Sequence, residues 1–221
     1  MRSFSCMGPH VKMYRNMGLG MWMQELPTLA HLFKILQQVP YLASKNLYRV
    51  AAHFLEMQPQ QIAQFCTALK EIKERLKKCE TCFYWQEISA TCMFCSSSQR
   101  DQATVCVVET WQEILAIEKT KGYLGVYHVL GGSISPLEGI GPDDLTIDAL
   151  LERVNNGTIK EVILATNQTP EGEATATYIA RKLKEKNIAI SCLARGLPVG
   201  SSLEGMDRLT VFKALSERRP F

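Results

Sequence analysis

The chain has 221 residues, 46% hydrophobic and 21% charged, which is enough apolar content for one good core plus small accessory modules and argues against wholesale disorder. Its longest purely apolar stretches, such as Val162-Ile163-Leu164-Ala165, fall far below the ~20 residues a bilayer span requires. The N-terminus sets Arg2, Lys12 and Arg15 among glycines and methionines without a continuous apolar run, so a secretory signal is not expected and a cytoplasmic, membrane-free protein is.

The net charge of +3 is unevenly spread. Residues 1–78 hold 11 Lys+Arg against 4 Asp+Glu, which leaves 14 against 18 for residues 79–221: a front of +7 and a back of −4. A basic module joined to an acidic one points to a polyanionic partner at the front. The plainer alternative is that Lys70, Lys73, Arg75, Lys77 and Lys78 solvate one helix face.

Residues 1–25 contain six of the nine methionines and show no steady period. They read as a flexible extension, or as a misassigned start with Met21 or Met23 as the natural beginning. From Thr28 the pattern turns helical, with Leu29, Leu32, Phe33 and Leu36 on one face, and a turn at Pro40 ends it. Ser44 is the expected N-cap of a second helix whose apolar face is Leu47, Val50, Ala51, Phe54 and Leu55. A third helix follows Pro59, facing inward through Ile62, Phe65, Cys66, Leu69, Ile72 and Leu76. Beyond a cysteine-rich segment and a polar break at Ser96–Asp101, strand and helix signals alternate. Strands are predicted at Val105–Val108, Gly125–Val129, Val162–Ala165 and Ile188–Leu193, with helices at Trp111–Lys119, Ile147–Val154 and Ala174–Lys184 between them. That order predicts an α/β fold, its mostly parallel sheet flanked by helices.

Cys79-x2-Cys82-x9-Cys92-x2-Cys95 is the strongest local signal. Two Cys-x2-Cys knuckles bring four thiolates to the corners of a tetrahedron, the arrangement of a closed structural Zn²⁺ site, and one zinc with a folding role is expected. Unliganded or redox-active thiols are the alternative. Lys77 and Lys78 are placed to ease thiolate formation. Cys6, Cys66, Cys106 and Cys192 lie outside the spacing and read as tail or core residues. Trp85 and Tyr84 read as a cap on the small core around the metal, with base stacking the alternative, and His128 as a packing histidine at a strand end. No Gly-x4-Gly-Lys-Ser/Thr occurs, so a P-loop is unsupported.

A helical hairpin, a four-cysteine knuckle and an α/β domain are joined by several local motifs: Tyr127-His128-Val129-Leu130-Gly131-Gly132, Ser135 to Pro142 (SPLEGIGP), Gly172-Glu173-Ala174-Thr175-Ala176, Gly196-Leu197-Pro198-Val199-Gly200 and the ending Ala214 to Arg219. From about Leu26 onward this series resembles the RecR family of bacterial recombination mediators. The resemblance implies a helix-hairpin-helix domain over 26–78, a zinc finger over 79–98, a Toprim-like domain over 99–198 and a C-terminal motif and helix over 199–221. It also implies a homodimeric or homotetrameric ring that clamps gapped, double- or single-stranded DNA in the nucleoid, acts with RecO or RecF, and promotes RecA loading.

Two departures qualify what is carried over. The family reads Leu-Pro-Gly-Ile-Gly in the hairpin turn, where this chain has Val39-Pro40-Tyr41-Leu42-Ala43, so Tyr41 and Ala43 occupy the glycine positions through which a backbone approaches phosphate. Lys45 and Arg49, which match the family's basic positions, are the side-chain DNA contacts the resemblance implies, with a plain solvated helix face the alternative. Active Toprim enzymes hold Mg²⁺ with a glutamate, here Glu109, and a later Asp-x-Asp set, here Asn167 and Thr169. Those substitutions favour a non-enzymatic protein with no catalytic residues. Glu109, Glu171 and Glu173 then offer an acidic patch for a protein partner, or simply suit strand and helix ends. The alternatives are a metal-dependent Toprim nuclease or topoisomerase-like enzyme, and a scaffold without direct DNA contact.

Overall fold

The structure is a computed structural model and describes residues 25–218. The extension assigned to residues 1–25 falls, apart from Glu25, outside the described residues, as does Cys6. The chain divides into two compact units at Lys70/Glu71.

The first unit is helical. Helix α1 (Pro27–Leu36) starts on a proline, whose missing N–H is no loss in a first turn. Helix α2 (Ser44–Glu56) follows the turn, and α3 (Pro59–Arg75) begins on a second proline. Phe33 and Leu36 of α1 pack on Leu47 and Ala51 of α2, the pairing that the periodicity predicts. Ser44 is not the cap of α2; it is the first helical residue, and Ala43 occupies the cap with no side-chain acceptor to offer. The inward face expected of α3 is also corrected. No residue of α3 is buried, and Phe65, Leu69 and Ile72 are about half exposed. Phe65 meets the Phe54 ring at 5.3 Å, but the stripe as a whole has no apolar layer against it among the described residues. Leu55, expected inside, is exposed.

The second unit holds two sheets. Strands β1 (Leu76–Lys78) and β2 (Trp85–Glu87) form an antiparallel ribbon, which the sequence pattern does not announce, and the first cysteine knuckle lies between them. The larger sheet comprises β3 (Asp101–Val108), β4 (Gly125–Val129), β5 (Glu161–Leu164) and β6 (Ala189–Cys192), all parallel in the order β4-β3-β5-β6. Helices α4 (Trp111–Lys119), α5 (Ile147–Asn155) and α6 (Pro170–Leu183) connect them, and α7 (Arg208–Ser216) follows. The predicted α/β class, element order and parallel sense all hold.

The central strand β3 is buried on both faces, the mark of a covered parallel sheet. Val105 and Val107 join Leu150 and Val154 of α5 and Ile179 and Leu183 of α6 in one core. Cys106 and Val108, on the opposite face, pack with Ile114 of α4, Tyr127, Val129 and the cysteine segment itself. The knuckle is therefore a layer of the domain. Its Cys82 carbonyl accepts from the Val129 N–H of edge strand β4 at 2.9 Å, which satisfies one backbone group of that edge. Arg100 fastens the same side: its guanidinium donates to Glu118 at 2.7 Å and to the Gly125 carbonyl at 2.9 Å and lies over Phe94 at 4.7 Å. Tyr127 donates to Glu118 at 2.5 Å.

His128 is fully buried at the β4 end, as expected of a packing residue. Its Nε2 donates toward the Thr146 carbonyl at 3.0 Å, Phe83 packs edge-on at 5.3 Å, and Nδ1 has no partner. Burial pushes its pKa down to about 4 from an ordinary 6.5. The unfolded chain therefore takes up a proton near pH 6.5 that the folded one refuses until near pH 4. Stability should fall across that window by up to about 3 kcal/mol. Denaturant unfolding of His128→Gln, which keeps a donor for Thr146, should show a shallower decline between pH 7 and 4.5 than the parent; equal slopes refute this assignment.

Candidate metal centre and nucleic-acid surface

Cys79, Cys82, Cys92 and Cys95 converge, with their sulfurs all within 4.8 Å of one another. Cys82 and Cys92 are 3.5 Å apart and Cys79 and Cys95 4.0 Å apart. These separations are far beyond a disulfide bond of about 2.05 Å. They bracket the about 3.8 Å edge of a tetrahedron whose centre lies about 2.3 Å from each sulfur. The backbone supports the arrangement. Phe83, the residue after Cys82, adopts φ +60, and its N–H returns to the Cys79 carbonyl at 2.9 Å, while the Thr81 N–H donates to the Cys79 sulfur at 3.4 Å. Three of the four cysteines are buried.

The electrostatics suit a cation. A hydrogen bond from Cys82 holds Cys95 down at about 6, with the Arg153 guanidinium helping, and Cys82 is pushed far up by the same bond and by burial. Burial likewise raises Cys92. Four clustered thiols, three of them buried, cannot all ionise without a positive centre among them. Arg153 of α5, which the sequence does not single out, is a cation that lowers Cys95; Lys77 lines the same cavity as Cys79, Cys92 and Cys95, and Lys78 lies over the Trp85 ring at 5.9 Å. No sequence signal separates Arg153 from an ordinary solvated helix residue. Tyr84 caps the small core through Phe94 at 5.0 Å, whereas Trp85 stands 40% exposed on β2. Of the remaining cysteines, Cys106 is a core residue with its thiol pushed up to about 12 by burial, while Cys66 and Cys192 are exposed.

At the Toprim carboxylate position Glu109 is only 6% exposed, and both its oxygens are occupied. Oε1 accepts the Asn167 backbone N–H and Oε2 the Asn167 side-chain amide, each at 2.7 Å. Asn167, which the resemblance sets at the position of a metal-binding aspartate, is a hydrogen-bond donor to Glu109. Thr169, at the second such position, caps α6 by accepting from the Gly172 N–H at 3.1 Å. Glu113, not singled out in the sequence, closes a capping box on Thr110, a signal legible as Thr-x-x-Glu. Gly172 is forced: a Cβ there would lie 2.2 Å from the Asn167 carbonyl and 2.7 Å from Glu109.

The three glutamates do not share one open surface. Glu109 is buried, Glu173 is held low in pKa by Lys213 and then Arg195, and Glu171 makes no ion pair among the described residues. Both Glu171 and Glu173 lie in the first turn of α6, where negative charge meets the helix dipole. Lys45 and Arg49 are exposed on α2, one turn apart and outside any ion pair among the described residues. At the turn before them Tyr41 holds φ +63, the backbone a glycine would adopt, whereas Ala43 is extended and needs no glycine.

A model of the Toprim domain matches residues 103–194, and one of the RecR C-terminal region matches 196–219. Recombination protein RecR of Paenarthrobacter aurescens is 46% identical over 184 residues, 83% of this chain and 92% of the relative. That of Myxococcus xanthus is 44% identical with 83% and 93% covered, and that of Syntrophobacter fumaroxidans 40% identical over 195 residues with 88% and 96% covered. The sheet, its matched domain and the sulfur cluster define a Toprim-domain protein with a four-cysteine metal site. The chain belongs to the RecR family of recombination proteins, which places it in DNA recombination and repair.

Asn167→Asp would replace a donated amide with a second carboxylate against buried Glu109. It should destabilise the protein by about 1–3 kcal/mol. Urea unfolding at pH 7 measures this, and an unchanged midpoint would contradict the role given to the amide.

Proposed function

We propose that the protein is a non-enzymatic DNA-binding mediator that clamps DNA as a ring-shaped homo-oligomer and acts with RecO or RecF to promote RecA loading at gaps, in the cytoplasm at the nucleoid. The observation that carries this reading is the Asn167 amide seated on Glu109: the Toprim frame is kept while the clustered carboxylates that would collect Mg²⁺ are not. Its binding surface is the hairpin, where Lys45 and Arg49 contact phosphate through their side chains. Glu171, in the first turn of α6, is the acidic contact for a partner protein, while Glu109 and Glu173 are engaged within the chain. The four cysteines hold one Zn²⁺, for which soft thiolate donors, tetrahedral spacing and the lack of an open position argue; the ion fixes the knuckle against the sheet and takes no part in chemistry.

Lys45→Ala with Arg49→Ala should weaken duplex binding and lower the slope of log K against log salt by about 1.8. Anisotropy titrations at several salt concentrations test it; an unchanged slope would remove DNA contact from the hairpin. Adding Mg²⁺ should produce no nicking, and nicking abolished by Glu109→Gln would establish the enzymatic alternative. Elemental analysis should give one zinc per chain, lost in Cys82→Ser together with several degrees of thermal stability, since the knuckle covers one sheet face. A fully folded, zinc-free parent protein would disprove the structural role.

A further inference from the structure

The geometry points to Tyr41 as a stacking platform for an unpaired base, which makes the hairpin selective for single-stranded over duplex DNA. This inference rests on the proposed contact of Lys45 and Arg49 with phosphate and extends it to the choice of strand. Tyr41 sits in the left-handed backbone region at φ +63 with its side chain wholly exposed. A side chain in that region costs on the order of 1 kcal/mol over glycine. The ring recovers nothing of this by burial, so the fold gives no reason for an aromatic there.

Its surroundings suit a nucleic acid. Tyr48, half exposed on α2, is held by Phe33 edge-on at 5.2 Å, and it shares a face with Lys45 and Arg49 at helical spacing. Between Leu26 and Leu55 there is no aspartate or glutamate, while Lys34, Lys45 and Arg49 all carry positive charge. No carboxylate side chain in that stretch repels a phosphate backbone, and none of the three cations is spent on an ion pair among the described residues. Interleaved cations and exposed rings are the means by which proteins grip single strands, cations following the backbone and rings meeting successive base faces. The same ring is a hindrance on duplex DNA. Paired bases are already stacked and present no free face, and a projecting side chain keeps the turn's backbone from the close approach to phosphate that glycine permits.

The test compares full-length protein binding to labelled oligo-dT and to a duplex of equal length at one salt concentration. Tyr41→Ala should weaken oligo-dT binding about fivefold or more and duplex binding by less than about twofold. Tyr41→Phe should retain both affinities. Tyr41→Gly should lose oligo-dT like the alanine variant, gain duplex affinity and melt no lower than the parent, which separates loss of stacking from loss of fold. If Tyr41→Ala leaves oligo-dT unchanged while Lys45→Ala with Arg49→Ala weakens both ligands, the stacking role is wrong and the hairpin contact stands. If the double variant is also without effect, the hairpin contact fails and the stacking role with it. Loss of subunit association by light scattering, with oligo-dT affinity intact, would assign Tyr41 to a contact between copies and overturn the inference.

Discussion

Four sulfurs gathered within 4.8 Å impose the constraint from which the rest of the second unit follows. Such a cluster can hold one thiolate, at Cys95, through S–H bonds from its neighbours and the charge of Arg153, but further ionisation calls for a cation among the sulfurs. The cysteine segment supplies Phe94 and three buried cysteines to one face of the sheet and a carbonyl to its β4 edge. Whatever fixes the sulfurs therefore also fixes a wall of the hydrophobic core. Arg100, placed between Glu118, Phe94 and Tyr127, and Arg153, bonded to the Tyr127 carbonyl at 2.7 Å, tie that wall to the strands behind it. An accessory finger and its host domain here share a single core.

Much of this was legible in the residues. The apolar runs at β3 and β4 are continuous because a parallel sheet covered on both faces has no polar side, and the spacing of the four cysteines specifies their convergence. The helix predicted from Ala174 begins four residues earlier, at Pro170, because Thr169 caps it by accepting from the Gly172 N–H. The inward face assigned to α3 failed for a different reason. Periodicity reports which side of a helix is apolar and says nothing of whether a partner layer lies against it; Leu69 and Ile72 are periodic and half exposed.

The site was less legible than the fold, because its working contacts are long-range. Asn167 and Glu109 are separated by 58 positions, and only parallel pairing of β3 with β5 brings their strand ends together. Residue type alone marked Asn167 as a lost ligand. The structure gives it an occupation, as it does Thr169 at the head of α6. Tyr41 is the converse case: residue type marked an obstruction, and the backbone reveals that the glycine conformation survived the change.

An amide at Asn167 and a hydroxyl at Thr169 bear on folding, since both take part in hydrogen bonds beyond the end of β5. A Toprim site with its aspartates intact places like charges beside a buried glutamate, and without a divalent cation those charges repel or must take up protons. With Asn167 in place, Glu109 receives two hydrogen bonds from neutral donors, and the strand ends are pinned together with no ion required. The carboxylate of Glu109 is thus satisfied by hydrogen bonds within the chain, and the end of β3 is fastened to the residue that follows β5. Among the described residues the side chains grouped to hold a metal ion are the four cysteines, which would fill a tetrahedral site by themselves.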